Sequence, residues 1–517
     1  MDLFIKLGML VVFFAVTIGI GIYCRKHSTD VNGFVLGGRS VGPWLTAFAY
    51  GTSYFSAVVF VGYAGQFGWK YGIAATWAGI GNALLGSLMA WAFLGRRTRV
   101  MTQHLDSATM PQFFQSRFDS KALKLAASAI IFIFLIPYTA SLYNGLSRLF
   151  GMAFDIDYSV CVIVMAVLTA IYVIVGGYMA TAINDFIQGI IMIGGIIAVI
   201  AAVLNSQGGF LEALNKLAQV SDPAVSTAPG VFASFFGPAP ADLLGVVILT
   251  SLGTWGLPQM VQKFYAIKSE QAINKGMIIS TIFAALVAGG CYFLGGFGRL
   301  FDVDVATEGF DAVIPTMLSG LPTVLIAVVV VLVLAASMST LSSLVLTSSS
   351  TLTLDFIKGT LVKKMDEKKQ LLTIRGLVLV FIAISVVLAI VQYKSNVTFI
   401  AQLMGVSWGA LAGAFLAPFL FGLYWKKATR ASVWCSFLFS TVVMLGNTVA
   451  KPLFPAMLQS PINAGAFCMI MGLIIVPVVS LITPKMDKAY VDQVFSCYDR
   501  TVTVSVTDSI GDSQNKK

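Results

Sequence analysis

Charged residues are scarce in this chain: Asp, Glu, Lys and Arg make up 11% of 517 residues. A soluble domain carries roughly 25% charged residues, so this composition excludes both a soluble enzyme and a disordered protein. The six cysteines lie far apart without a CxxC pair, which excludes a disulfide framework or a zinc site. The two histidines, His27 and His104, lie in polar stretches, so histidine chemistry is excluded from the apolar segments.

Apolar residues are abundant instead, at 57% of the chain with a mean hydropathy of +0.87. A run of roughly 20 apolar residues is long enough to cross a bilayer as a helix, and the sequence contains about thirteen such runs. The predicted fold class is therefore an all-α polytopic membrane protein, with the lipid bilayer as its surroundings.

The net charge of +10 is interpreted by its distribution between the loops. Placing the first loop, with Arg25, in the cytoplasm puts most basic residues on that side, including Arg96, Lys263 and Lys426. Such a bias sets the orientation of membrane proteins. The prediction is an external N-terminus and a cytoplasmic C-terminus in a plasma membrane, most simply a bacterial inner membrane, with no nucleic-acid partner.

Two of the apolar runs contain residues that weaken a helix. In the second run Gly51 is followed by hydroxyl residues up to Ser56, and the seventh run contains Gly253, Gly256 and Pro258. The two runs are five crossings apart and therefore cross in opposite directions. Paired broken helices of this kind indicate inverted repeats with a binding site at the midplane. Simple packing kinks would leave the same residues, and that alternative stays open.

The ninth run is rich in hydroxyl groups. Ser339, Ser342 and Ser343 share one helical face, and Thr340 lies beside it. Such groups often bond back to their own helix, but their number in this run favours an oxygen cage, which suits a small hard cation. Because carboxylates are nearly absent from the apolar runs, no divalent metal site is indicated.

One acidic residue, Asp185, is predicted to enter an apolar segment. An ionisable group inside a membrane is costly and is a functional candidate by default. Alternatively, Asp185 caps the cytoplasmic start of the sixth helix, where the helix dipole favours a negative charge. Spacing alone does not separate the two interpretations.

Three motifs resemble the sodium/solute symporter family, which includes bacterial proline permease and the sodium/galactose transporter. They are Gly37–Pro43 leading into Gly51-Thr-Ser, the stretch Gly176–Gln188, and Ala335–Ser343. The resemblance covers the chain to about residue 483 and implies a leucine-transporter-like core of two inverted five-helix repeats. It divides the chain into an extra N-terminal helix with the first cytoplasmic loop (1–43), a first repeat (44–204), an extracellular loop (205–241), a second repeat (242–424), two C-terminal helices (425–483) and a cytoplasmic tail (484–517).

The resemblance also implies two ion sites. A sodium site would be formed by the main-chain carbonyls of Thr52, Phe55 and Ala336 and the hydroxyls of Ser339 and Thr340. Some family members hold a second sodium ion, and the matching positions in this chain are Asp185, Ser339, Ser342 and Ser343. Sodium is then the coupling ion, and no cofactor is implied.

The substrate positions depart from the best-known relatives. Proline permease has an aspartate at the position of Tyr54 and a tryptophan at that of Val58, while sugar transporters carry asparagine and glutamine at Tyr54 and Val59. Both proline and a polyhydroxylated sugar are thereby disfavoured. The candidate pocket is apolar and aromatic, as small-ligand sites usually are; it comprises Tyr54, Val58, Val59, Tyr138, Tyr143, Asn144, Thr250, Thr254 and Gln259. We expect a small amino acid or carboxylate, met by backbone N–H groups at a half-helix end.

The predicted function is a sodium-coupled symporter that imports a small organic solute by alternating access, and not an enzyme. A membrane enzyme would need several clustered acids, histidines or cysteines, and a proton-coupled carrier several buried acids. A carrier coupled to another ion or moving a sugar-like solute is the main alternative, followed by a channel or membrane sensor. The sequence does not indicate the solute, the ion stoichiometry or the oligomeric state.

Overall fold

The computed structural model describes residues 2–25, 29–154, 157–358, 360–362, 364–395 and 400–499. Within these ranges the chain consists of helices and their connections, and strand pairing is limited to isolated bridges, such as that between Val41 and Ile267. The predicted all-α class is confirmed. Most of the predicted tail, residues 500–517, lies outside the described residues.

Twenty-one α-helices follow one another along the described part of the chain. The first eleven are α1 (Asp2–Cys24), α2 (Val31–Leu36), α3 (Pro43–Tyr54), α4 (Ala64–Tyr71), α5 (Thr76–Gly81), α6 (Arg96–His104), α7 (Met110–Phe118), α8 (Lys121–Phe154), α9 (Tyr158–Ser206), α10 (Phe210–Gln219) and α11 (Pro240–Gly256). They are followed by α12 (Pro258–Ala266), α13 (Glu270–Gly295), α14 (Val305–Glu308), α15 (Val313–Ser319), α16 (Thr323–Thr351), α17 (Glu367–Ser395), α18 (Ile400–Tyr424), α19 (Arg430–Val449), α20 (Pro461–Ile482) and α21 (Lys488–Phe495).

Wider and tighter helical turns join several of these elements. The π-helical segments are Val58–Tyr63, Asn82–Met89, Trp91–Gly95 and Leu352–Ile357. The 3₁₀ turns are Gly37–Arg39, Gly72–Ala75, Val231–Ala233, Gly298–Leu300, Phe310–Ala312, Lys451–Leu453, Ala456–Gln459 and Ser496–Tyr498.

The long apolar helices make the chain a polytopic membrane protein. In the part of the chain that the structure describes, 10 helices are long and apolar enough to cross a membrane, or up to 11 if α11 and α12 form one bent span. The predicted count of about thirteen is therefore not confirmed, and neither is the predicted orientation. Two helical stretches, Val58–His104 with 47 residues and α9 with 49, are each much longer than the roughly 20 residues that one crossing needs.

A break at Gly177 divides α9. Its backbone has φ +58° and ψ −155°, a conformation that favours glycine. A Cβ at this position would also lie 2.9 Å from the ring of Phe34 and 3.1 Å from its carbonyl oxygen. The chain therefore leaves the helical conformation at Gly177, and the helix resumes after it.

Helix α16 lies at the centre of the bundle. It packs against α8, α9, α3, α17 and α1, and its residues from Val329 to Thr351 are buried. Helix α18 packs against α20, α19, α8 and α11. A Cβ at Gly409 of α18 would lie 2.7 Å from the Cα of Gly465 in α20. Small residues allow this close approach, which drives helix association in membranes.

The segment 205–241 packs onto the end of the bundle through Arg299. The Arg299 Nε donates to the carbonyl of Trp69 at 2.6 Å, and Nη1 donates to Asp222 at 2.9 Å. Its guanidinium carbon also lies 3.9 Å from the ring centroid of Phe232. Within this segment, Phe210–Gln219 forms helix α10.

Candidate functional site

The first helix break lies near the end of the predicted stretch Gly51–Ser56. Helix α3 continues through Gly51 and ends at Tyr54, and Phe55 is extended with φ −82° and ψ 123°. Gly51 has a packing role, because a Cβ there would collide with the ring of Phe283. The break releases the carbonyls of Thr52 and Phe55 from helical hydrogen bonding, and such groups need partners inside a membrane.

Those carbonyls converge on α16. The Thr340 Oγ1 lies 3.1 Å from the carbonyl oxygen of Thr52, 3.1 Å from that of Phe55 and 3.2 Å from that of Ala336. The Ser339 Oγ lies 2.7 Å from the Thr52 Oγ1. A hydroxyl has one proton to donate, so three carbonyls around it leave oxygen lone pairs in excess. The structure thus brings the five residues of the predicted sodium site together in an arrangement that can hold a cation.

Asp185 lies directly beside this cluster. The Ser339 Oγ donates to the Asp185 Oδ1 at 2.6 Å, and the carboxylate is fully buried. Helix α9 resumes after Gly177, so Asp185 lies about two turns beyond the break, at 3.6 residues per turn. The helix dipole acts within the first turn, and the capping interpretation of Asp185 is therefore wrong.

A buried lysine faces Asp185. We assigned Lys263 to a cytoplasmic loop, but it lies on α12, and its side chain is 3% exposed. Its Nζ lies 3.9 Å from the Asp185 Oδ2 and 3.1 Å from the Ser343 Oγ, and 5.1 Å from the ring centroid of Tyr178. Sequence reasoning missed it because a lysine after Pro258 appeared to end the span. Its apolar neighbours Val261 and Phe264 were the available signal.

The remaining residues of the candidate second sodium site behave differently from one another. The Ser343 hydroxyl lies 3.0 Å from that of Ser53 on α3 as well as next to Lys263. The Ser342 hydroxyl instead donates to the carbonyl of Ser339, at 2.8 Å, in its own helix. Asp185, Ser339 and Ser343 therefore meet at one place, and the Ser342 hydroxyl is directed back to the backbone.

The second helix break lies between α11 and α12, which are bent by 44° at Leu257. Trp408 of α18 approaches the segment before it, since a Cβ at Gly253 would lie 2.5 Å from the Trp408 Cε3. The Trp408 ring also contacts Tyr138 edge to face, at 5.9 Å between centroids. Sequence reasoning missed Trp408, because a tryptophan in an apolar run looks like ordinary core.

The other candidate pocket residues divide by how their side chains are used. Val58 and Val59 are buried in the π turn after the first break. The Tyr143 hydroxyl and both amide atoms of Gln259 are buried without a hydrogen-bond partner among the described residues. Three predicted pocket residues instead bond elsewhere: Thr250 to Val246, Thr254 to Gly86, and Asn144 to Tyr158. The side chain of Tyr54 lies outside the described residues.

A further buried acid corrects our expectation that Asp185 alone enters an apolar segment. Asp355 is fully buried in the π turn that continues α16. It accepts hydrogen bonds from the Thr109 Oγ1 at 2.6 Å and the Gln112 Nε2 at 2.8 Å.

These features define a class of protein. Two broken helices in a membrane bundle, with freed carbonyls and hydroxyls converging beside a buried carboxylate, are the architecture of a secondary transporter. The chain belongs to the sodium:solute symporter family, whose model matches residues 34–438. Family membership confirms the resemblance and makes the protein a sodium-coupled membrane transporter, not an enzyme.

Individual relatives agree with this assignment. The chain is 30% identical over 496 residues to the sodium/proline symporter of Staphylococcus aureus, in an alignment that covers 93% of this chain and 92% of the relative. Among solved structures, a Na+-coupled sialic acid symporter in a substrate-bound outward-open state gives a TM-score of 0.74 at 17% identity, covering 94% and 98% of the two chains. A manganese transporter of Eremococcus coleocola gives a TM-score of 0.51 at 12% identity, covering 88% and 96%. Both structural likenesses concern the fold alone.

Proposed function

We propose that this protein imports a small amino acid or carboxylate together with sodium, by alternating access across a plasma membrane. The observation that carries the proposal is the convergence of three main-chain carbonyls on the Thr340 hydroxyl. Two of these carbonyls, from Thr52 and Phe55, belong to the break in α3, and the third belongs to α16. A sodium ion there would be held by five oxygens from two helices, with Ser339 as the fifth contributor.

Such a site couples the ion to the solute. The ligands surround the ion only when α3 and α16 approach each other, so sodium favours that conformation by differential affinity. The π turn at Val58–Tyr63 follows the same break and contains Val58 and Val59, two of the residues proposed for the solute pocket. Because one break serves both sites, sodium binding stabilises the conformation that binds the solute, and the solute strengthens sodium binding by the same factor.

The proposed solute pocket lies between the two breaks. Val58, Tyr138 and Trp408 supply apolar and aromatic surface, and Tyr143 and Gln259 supply buried polar groups without partners among the described residues. This composition suits a small solute with an apolar body and a few polar atoms. The Staphylococcus aureus relative is named for proline, so proline belongs in the test, although Val58 departs from proline permease.

We also propose the topology that the resemblance implies: about thirteen crossings, an inverted five-plus-five core, an external N-terminus and a cytoplasmic tail. The two helix breaks support it, since they begin equivalent halves of an inverted repeat. Cysteine labelling from either side of intact cells, at exposed positions such as Lys216 and Lys426, would test the orientation. Modification of Lys216→Cys from outside and of Lys426→Cys only from inside is expected, and the reverse pattern would overturn it.

Uptake into proteoliposomes tests the transport proposal. Purified protein is given an inward sodium gradient without a proton gradient, and a panel of radiolabelled amino acids, small carboxylates and sugars is offered. We expect sodium-dependent accumulation of one or a few amino acids or carboxylates. Accumulation that follows a proton gradient and ignores sodium, or of sugars alone, would contradict the proposal.

A further inference from the structure

Lys263 is a buried cation that the proposed sodium site does not use. It projects from α12, the second half of the helix broken at Leu257, toward α9 and α16. Its contacts are the Ser343 hydroxyl at 3.1 Å, the Asp185 Oδ2 at 3.9 Å and the face of Tyr178 at 5.1 Å. A carboxylate, a hydroxyl and an aromatic face are groups that attract any small cation.

The Lys263 ammonium lies at the place where a second sodium ion would be bound. Two of the residues proposed for that ion, Asp185 and Ser343, are the residues that it contacts. The Asp185 Oδ1 accepts from Ser339, whereas Oδ2 has no hydrogen-bond partner among the described residues and faces the ammonium. The carboxylate therefore has one oxygen toward the proposed sodium site and the other toward Lys263.

The local charge supports the same conclusion. Asp185 and Lys263 balance each other, so one sodium ion gives the buried centre a net charge of +1. A second ion would bring the charge to +2 around a single carboxylate, at low dielectric, where like charges repel strongly. Asp355 is too distant to compensate, since it lies 16 residues from Ser339 along the helix, or about 24 Å at 1.5 Å per residue.

We infer that Lys263 is a tethered cation that fills the second cation site, so that the protein binds one sodium ion where a homologous site with a free carboxylate would bind two. This inference rests on the proposed sodium site at Thr340 and deepens it by assigning the stoichiometry. It also gives α12 a role in coupling. Lys263 links α12, which follows the second helix break, to Asp185 on α9.

Equilibrium binding of 22Na+ to the purified full-length protein in nanodiscs tests the inference without knowledge of the solute. Wild type is expected to saturate at one ion per protein with a Hill coefficient near one. Lys263→Gln removes the charge but keeps a group that can bond Ser343, and we expect it to gain a second saturable ion. Lys263→Arg keeps the charge and is the matched control, with one ion expected.

Two further measurements separate this inference from the sodium site itself. In Lys263→Gln with Asp185→Asn, the gained ion should be lost and the count should return to one. Saturation of wild type at two ions would overturn the inference, even if the Lys263→Gln variant failed to fold. A folded Lys263→Gln protein that still binds one ion would overturn it as well. Unchanged 22Na+ binding in Thr340→Ala would instead refute the proposed sodium site.

Discussion

Replacing Thr340 by alanine tests the sodium site most directly. Its hydroxyl lies within 3.1–3.2 Å of the carbonyls of Thr52, Phe55 and Ala336, and the side chain is fully buried. The alanine variant removes one proposed ligand and leaves the three carbonyls in place. We therefore expect weaker sodium binding in a protein that still folds and inserts.

The magnitude follows from the kind of contact that is lost. A polar group bound to a charged partner contributes about 1.5–3 kcal/mol, and each 1.4 kcal/mol is a factor of ten in affinity. The apparent sodium affinity should therefore fall by about 10- to 150-fold. Folding should suffer less, by about 0.5–1.5 kcal/mol, because a neutral hydrogen bond contributes that much to stability.

The assay is 22Na+ binding together with the sodium dependence of uptake, in Thr340→Ala, Thr340→Ser and Ser342→Ala. Thr340→Ser keeps the hydroxyl and should stay close to wild type. Ser342→Ala is the matched control, since Ser342 is equally buried on the same helix but donates to the carbonyl of Ser339 at 2.8 Å. An unchanged affinity in Thr340→Ala, or an equal loss in Ser342→Ala, would refute the reasoning.

Three further predictions follow from other parts of the structure. Gly177→Val should destabilise the detergent-solubilised protein by about 1–3 kcal/mol, because valine strains this backbone conformation. Gly194→Ala is the control, since Gly194 has open space around it and should tolerate a methyl group. Equal melting temperatures of the two variants would contradict this prediction. Gly253→Val should displace the Trp408 ring and abolish solute uptake, while 22Na+ binding persists. Normal uptake by this variant would show that Trp408 is not part of the solute pocket. Asp311 is buried in the 3₁₀ turn before α15, and this burial raises its pKa to about 6. The stability of the folded protein should therefore fall as pH rises from about 4 to above 6, and pH-dependent melting curves of Asp311→Asn should lack this fall.

The sequence was most informative where function requires unusual residues in a membrane. Hydroxyl groups at Ser339 and Thr340 and the acid at Asp185 are costly in apolar surroundings, so their presence alone indicated a site. The five proposed sodium ligands came from family resemblance, and the structure brings them together. The sequence also indicated the stretch of the first break, Gly51–Ser56, but it did not single out Phe55 as the residue where the helix ends.

The sequence was least informative where a residue's meaning depends on tertiary contacts. In the sequence Lys263 looks like a loop lysine. In the structure α12 begins at Pro258 and places the Lys263 side chain in the interior of the bundle. Trp408 looks like core, and its proximity to Gly253 depends on how α18 lies against α11. The Thr254 hydroxyl looked available for a solute, but it donates to the carbonyl of Gly86, at 2.8 Å, on a neighbouring segment. None of these contacts has a local signature.

The π-helical turns between Asn82 and Gly95 have a consequence for how this chain tolerates changes in length. A π turn closes its hydrogen bond over one more residue than an α turn, so it accommodates a residue in excess of the regular helix. Deleting one residue there would convert the π turn into a regular α turn. The helix that follows, α6, would keep its orientation, so Arg99 would still face the same neighbours. In a regular helix such as α13 the same deletion would rotate everything after it by about 100°, at 3.6 residues per turn. The wide turns are therefore the places where this bundle can lose a residue without losing its register.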